Sequence, residues 1–317
     1  MKKIFGAVAI AALALTSQAS AKEITIGLSV DQLFESRVAV NNGIHAEATD
    51  RGYKVLEVVA DGDAQQQNAQ IQSLIAQGVD AILVSAVDQN TIERALIAAK
   101  RANIPVVAYD RDLPDSAVVQ SYVGPDSRID GRLAGEYTAK ALVGYQGQIN
   151  IVELIGALND QNGIDRSAGF REGIASLPNV NIIEVPTDWD SARALSGTQN
   201  AFQATPDVAA VFAATDTHIP AVETVLTDLG RLVPVGKPGH VVITGVNGSR
   251  DGYDAVVGGT ADAFVVMGTE ATGRMAVDLV ARILAGEKVE RTNYVGGTLY
   301  TGADAAANAA KIWGAPK

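Results

Sequence analysis

Short runs of β-branched and apolar residues alternate along the chain with longer stretches whose apolar positions recur every three or four residues. The strand-like runs are 24–30, 54–59, 81–84, 106–109, 118–123, 148–154, 180–185, 209–212, 241–245, 263–267 and 293–299. Between them lie helical patterns. Residues 64–77 put Ala69, Ile71, Leu74 and Ile75 on one stripe and stop at Gly78, and 91–102 do the same with Ile92, Ala95, Leu96 and Ala99 before Asn103. This alternation predicts parallel sheets built from βαβ units. Eleven strands are more than one twisted open sheet carries comfortably, so the expected architecture is α/β, with two successive doubly wound domains of similar plan. No Pro/Gly/Ser-rich linker marks the join, and the turn-forming Gly124-Pro125-Asp126 is where the strand count places it.

Composition narrows what such a fold can do. The 317 residues are 47% hydrophobic, contain no cysteine and carry a formal charge of −11. An acidic chain with no basic run lacks the footprint that nucleic acids and anionic membranes require. Without cysteine there is no disulfide, thiolate metal site or sulfur nucleophile. Met1-Lys2-Lys3, the apolar run 4–15 and Ala19-Ser20-Ala21 read as a secretory signal over 1–21, cleaved after Ala21. A membrane anchor is the competing reading, but the apolar run is shorter than a bilayer crossing needs. The mature protein is therefore expected in a periplasm or outside the cell, not embedded in the membrane and not a lipoprotein.

In doubly wound domains ligands bind beyond the carboxyl ends of the strands. There the sequence places Asp31 to Arg37, Asp110-Arg111-Asp112, Asn159-Asp160-Gln161-Asn162, Thr187-Asp188-Trp189-Asp190, Thr215-Asp216-Thr217 and Asn247-Gly248-Ser249. Helix capping accounts for Asp126, Asp190 and Ser249. It does not account for arginine or tryptophan. Asp110 and Arg111 put an acid and a five-donor fork at one strand end, and Trp189 stands in a polar loop where a flat ring can stack on the C–H face of a sugar. Taken singly, Asp110-Arg111 could be a loop ion pair and Trp189 a half-buried anchor between layers.

These loops resemble those of the periplasmic sugar-binding proteins of ABC transporters, in the ribose- and xylose-binding group. The resemblance spans the mature chain and rests on Ile26-Gly27-Leu28-Ser29-Val30, Ala76-Gln77-Gly78-Val79-Asp80-Ala81-Ile82, Ile104-Pro105-Val106-Val107-Ala108-Tyr109-Asp110-Arg111, Arg166 with Gly169-Phe170, and residues 207–213. Asp31-Gln32-Leu33 through Ser36-Arg37 is most similar to the xylose-binding branch. The resemblance implies two doubly wound parallel-sheet domains joined by a three-crossover hinge, the type I periplasmic binding protein fold. Crossovers would lie near Gly124-Pro125, Met267-Gly268 and 295–297, giving domains of 22–124 plus 268–295 and 125–267 plus 296–317. It further implies that Arg37, Asp110 and Arg111 grip a ligand from one domain and Asp160, Asn162 and Asn247 from the other, with Trp189 as stacking platform. Phe34, Glu35, Thr215, Asp216 and Met267 complete the candidate set. Four positions depart from the family pattern: Val38 stands where a second aromatic is usual, Thr215 for Asn, Asn247 for Asp, and Met267 for Gln or Lys. Specificity is expected to differ from that for xylose itself.

The implied function is capture of a monosaccharide or polyol, pentoses favoured, by a monomeric protein that closes on its ligand and delivers it to a permease, with no cofactor. A secreted sensor presenting the ligand to a chemoreceptor or histidine kinase is the main alternative. An enzyme is less well supported, because the three histidines stand at unrelated positions and there is no Gly-x-Ser-x-Gly or His-Glu-x-x-His. Asp110 and Asp160 remain a conceivable hydrolytic carboxylate pair. A repressor built on the same core would need a helix-turn-helix where the signal stands.

Overall fold

A computed structural model describes residues 23–316, so the expected signal peptide lies outside the described residues. Among the described residues twelve strands and ten α-helices follow one another in near-regular alternation. The first half comprises β1 (Thr25–Val30), α1 (Glu35–Asp50), β2 (Lys54–Val59), α2 (Ala64–Ala76), β3 (Ala81–Val84), α3 (Glu93–Arg101), β4 (Val106–Tyr109) and β5 (Ser121–Pro125). The second comprises α4 (Ser127–Ala141), β6 (Ile149–Ile155), α5 (Gln161–Gly173), β7 (Val180–Pro186), α6 (Ser191–Ala204), β8 (Val208–Ala213), α7 (Ile219–Asp228), β9 (Val242–Asn247), α8 (Arg250–Gly258) and β10 (Ala263–Val266). Then come α9 (Thr269–Leu284), β11 (Thr292–Val295), β12 (Thr298–Thr301) and α10 (Gly302–Ala307).

The strands form two six-stranded sheets, ordered β2-β1-β3-β4-β5-β11 and β7-β6-β8-β9-β10-β12. The plan is the same twice. All pairings are parallel except β10 with β12, where Val265 faces Leu299 in antiparallel register. Each sheet is covered on both faces, which is why inner strands such as β3, β4, β8 and β10 are apolar and buried throughout, while the edge strands carry polar residues. Around the first, Ile71, Leu74 and Leu96 fill one side and Val40, Ile44, Val277 and Val280 the other. Around the second, Phe202, Val222 and Leu226 oppose a layer containing Phe170 and Phe212, whose rings stack 4.1 Å apart.

Strand and helix expectations hold with shifted ends. The run 118–123 becomes a strand only from Ser121, and the helix expected from residue 91 starts at Glu93. Gly78 and Asn103 do end their helices, both with positive φ. The largest difference is at 293–299, expected as one strand. It is two, β11 in the first sheet and β12 in the second, parted at Gly296-Gly297. A side chain on Gly297 would strike the Asp130 carboxylate, so only glycine lets the chain cross there. The chain passes between the sheets at two further places, after β5 and after β10. No helix among the described residues is long and apolar enough to cross a membrane.

Candidate functional site

In both sheets the strand order reverses beside the first strand, between β1 and β3 and between β6 and β8, which is where doubly wound folds bind ligands. The two reversal points face each other across a cavity of about 350 Å³. Its walls come from the loops at both sets of carboxyl ends. Leu33, Phe34, Glu35, Ser36, Arg37, Asp110 and Arg111 belong to the first sheet's side, and Asp160, Asn162, Arg166, Trp189, Thr215, Asn247 and Met267 to the second.

An alternating chain of charges runs through the wall. Arg37, in the first turn of α1, donates from Nε to Asp31 at 2.8 Å and lies 2.7 Å from Asp110 through Nη1. Arg111 stands 3.2 Å from the other oxygen of Asp31 and 3.2 Å from Asp160 on the opposite side. It also donates to the Ala86 carbonyl at 3.1 Å, which fixes its fork. Burial by itself would raise the Asp31 carboxyl, but the guanidiniums of Arg37 and Arg111 hold it below the usual range. Burial likewise opposes the charge on Arg37, and Asp110 and Asp31 more than restore it. The charges are therefore retained although most are hidden from water.

The second wall is built on α5. This helix lies close against α4, where a side chain at Gly131 would collide with the Arg166 carbonyl, and Phe170 pins it to Phe212. Asp160 caps it through the Asn162 N–H at 3.0 Å. The same carboxylate accepts the Trp189 indole N–H at 2.9 Å, so one residue sets both the helix end and the ring. Asn162 donates across the cleft to the Asp110 carbonyl at 3.0 Å. Trp189 is half-buried, with the outer edge of its six-membered ring against Gly156, and it lines the cavity. Asp110, Trp189 and Asn247 all have positive φ, conformations that cost energy in non-glycine residues and cluster where geometry serves a ligand.

Eleven of the twelve candidate residues line this cavity. Asp216 does not. Its carboxylate turns inward to accept the backbone N–H groups of Gly248 at 2.7 Å and Ser249 at 3.0 Å, and burial pushes it up to about 7. It holds the turn after β9 rather than a ligand. His218 is also fully buried, its ring lowered to about 4 by burial, and Val38 faces another groove. Asp126, Asp190 and Ser249 cap α4, α6 and α8 as expected. Arg166, Leu33, Ser36, Ser191 and Thr217, outside the candidate set, also line the wall. Arg166 sits one helical turn beyond Asn162, and that spacing was the available signal.

Comparison with known proteins agrees with this geometry. Residues 27–288 match the model of the periplasmic binding protein domain. The chain belongs to the periplasmic binding protein family. The ribose import binding protein of Escherichia coli is 31% identical over 292 residues, covering 92% of this chain and 95% of the relative. A Mycobacterium smegmatis protein solved with β-D-fucofuranose superimposes with a TM-score of 0.83 at 28% identity, over 91% of this chain and 97% of that one. The arabinose ABC transporter's binding component from Shewanella, bound to L-arabinofuranose, gives 0.81 at 28%, over 91% and 95%. This periplasmic binding protein thus has the type I fold.

Proposed function

We propose that the protein captures a monosaccharide, pentose-sized guests favoured, between its two lobes in the periplasm and delivers it to the permease of an ABC transporter. The observation that carries this reading is the cavity walled from both sheets, with an aromatic face and a fixed set of hydrogen-bonding groups. Its volume is at the small end of ligand pockets. The relatives named for ribose and arabinose support a pentose-sized guest.

The lobes would be 22–124 plus 268–295 and 125–267 plus 296–317, hinged at the three places where the chain changes sheet. Ligand would favour the closed arrangement because groups from both lobes are satisfied together only there. Binding rather than hydrolysis fits the carboxylates, since that of Asp110 is held by the Arg37 guanidinium and that of Asp160 by Arg111, the Trp189 indole and the Asn162 N–H, instead of standing free for proton transfer. A thermal-shift screen of the mature protein against pentoses, hexoses and sugar alcohols tests the proposal, because a ligand of the folded state raises the melting temperature by mass action. A hit recovered chemically unchanged supports it. A hit recovered as a different compound replaces it with an enzyme.

A further inference from the structure

The three arginines of the cavity wall are not equivalent. Arg37 has carboxylates at 2.8 and 2.7 Å, and Arg111 has two at 3.2 Å. Arg166 has none within ion-pair distance among the described residues. It is 4% exposed, and its guanidinium donates from Nη1 to the Ala214 carbonyl at 2.9 Å and from Nη2 to the Met267 sulfur at 2.9 Å. Its Nε–H has no acceptor. Two of five donors are used, one of them on a thioether, which is a weak acceptor.

Neighbouring groups do not make up the deficit. Asp130 and Asp216 feel Arg166 only at longer range, and burial pushes both up to about 7, so they are weak counter-ions at neutral pH. The Asp160 carboxylate is spent on the Asn162 N–H, the Trp189 indole and Arg111. Asn247, which ends β9 on the same wall, is neutral, and Thr215 shares its hydroxyl with Thr217 at 3.0 Å. The cavity as a whole sets Glu35, Asp110 and Asp160 against its three arginines, but none of these carboxylates is paired with Arg166, so this buried cation keeps unspent donors, an arrangement that is costly unless something completes it.

We infer that the ligand completes it, and that the preferred guest is a monosaccharide bearing a carboxylate, an aldonate or uronate whose anionic oxygens take the unspent donors of Arg166. The inference rests on the sugar-binding reading and refines its ligand class. A planar carboxylate matches a guanidinium fork in two parallel hydrogen bonds, which a hydroxyl cannot. The Arg166 guanidinium carbon lies over the Trp189 ring at 5.7 Å and both line the cavity, so a guest held by this arginine also meets the indole.

Calorimetric titration of the wild-type mature protein with paired probes decides it: D-xylose against D-xylonate, D-galactose against D-galacturonate, and D-glucose against D-gluconate. In at least one pair the acid should bind more tightly than its parent by about tenfold or more, a difference worth about 1.4 kcal/mol. That preference should weaken with added salt and vanish in Arg166→Gln. Asn247→Asp, which supplies a carboxylate from the protein, should reverse it toward the neutral sugar. Parent sugars that bind as well as or better than their acids overturn this inference and leave the sugar-binding function standing. If neither member of any pair binds, and the wider thermal-shift panel is also silent, the sugar-binding reading falls and this inference with it. The wild-type comparison stands whether or not either variant folds.

Discussion

Arg111 and Asp160 meet at 3.2 Å although one follows β4 of the first sheet and the other caps α5 beside the second. The contact continues the series Asp110, Arg37, Asp31, Arg111, Asp160, so charge alternation crosses the cleft without a break. A rim ion pair would be worth little, but Asp31 and Arg37 are buried and their partners nearly so, which makes removal of any one member leave its neighbours uncompensated.

Asp31 joins both arginines, so Asp31→Asn should destabilise the unliganded protein by about 3 kcal/mol, the typical cost of breaking a buried pair. Urea unfolding at neutral pH measures it. A change within about 0.5 kcal/mol, the range of ordinary surface substitutions, would mean that the charge series contributes nothing to folding.

Arg111→Ala and Trp189→Ala should each abolish the rise in melting temperature caused by a bound sugar while leaving the unliganded fold able to unfold cooperatively. Thermal denaturation with and without saturating sugar reads both quantities. Full ligand stabilisation retained in both variants would move the site away from this cavity.

Gly156 lies under the indole of Trp189, where even a methyl group would displace the ring. Gly156→Ala should weaken sugar binding about tenfold or more without altering any group that touches the ligand, since small misplacements of positioned groups carry costs of this order. In the Trp189→Ala background the same substitution should cost little further, and calorimetry of the four proteins tests the coupling. Equal losses in both backgrounds would show that the glycine acts on something other than the ring.

Asp130 is fully buried at the β11–β12 crossover, and burial pushes its carboxyl up to about 7. Its folded value lies above that of an unfolded aspartate, near 3.9, so the native state binds more protons between these values. Stability from this group is therefore present at low pH and lost as pH rises from about 4 through 7. Asp130→Asn should remove that slope, so its melting temperature gains on the wild type between pH 5 and 8. Parallel pH profiles for the two proteins would contradict the assignment. His218 acts oppositely, since a ring held down at about 4 destabilises the fold as pH falls below about 6.5, and the substitution leaves that contribution in both profiles.

Much of this arrangement was legible in the residues. The alternation of buried strands with amphipathic helices gave both sheets, because parallel strands covered on two faces must be apolar throughout, and the polar tripeptides that follow them had to lie at one end. Arg37, Arg111 and Trp189 stand out because capping does not explain an arginine or a tryptophan at a strand end, whereas Asp160 does cap α5 and serves the cavity with its other oxygen. The single apolar run 293–299 hid a change of sheet, since the pattern of strand residues carries no information about which sheet accepts them. Asp216 was misread for a related reason: a carboxylate at a strand end can face the cleft or fold back on the N–H groups of the next turn, and only the approach of Gly248 and Ser249 distinguishes these. Arg166 enters the sequence reading only as a residue that carries the family resemblance and not as a ligand candidate; an arginine inside a helix ordinarily points to solvent, and only the packing of α5 turns this one to the cavity.

The absence of cysteine makes closure directly measurable. Cysteines introduced at the exposed positions Gln65 on α2 and Ala192 on α6, beside the loops at the cleft mouth, accept a pair of spin labels without competing sites. Pulsed dipolar spectroscopy should show a broad distribution of separations in ligand-stripped protein. With the tightest-binding sugar it should collapse to the short distance of the closed cleft. A distribution that is the same with and without a sugar whose binding calorimetry has established would contradict capture between the lobes.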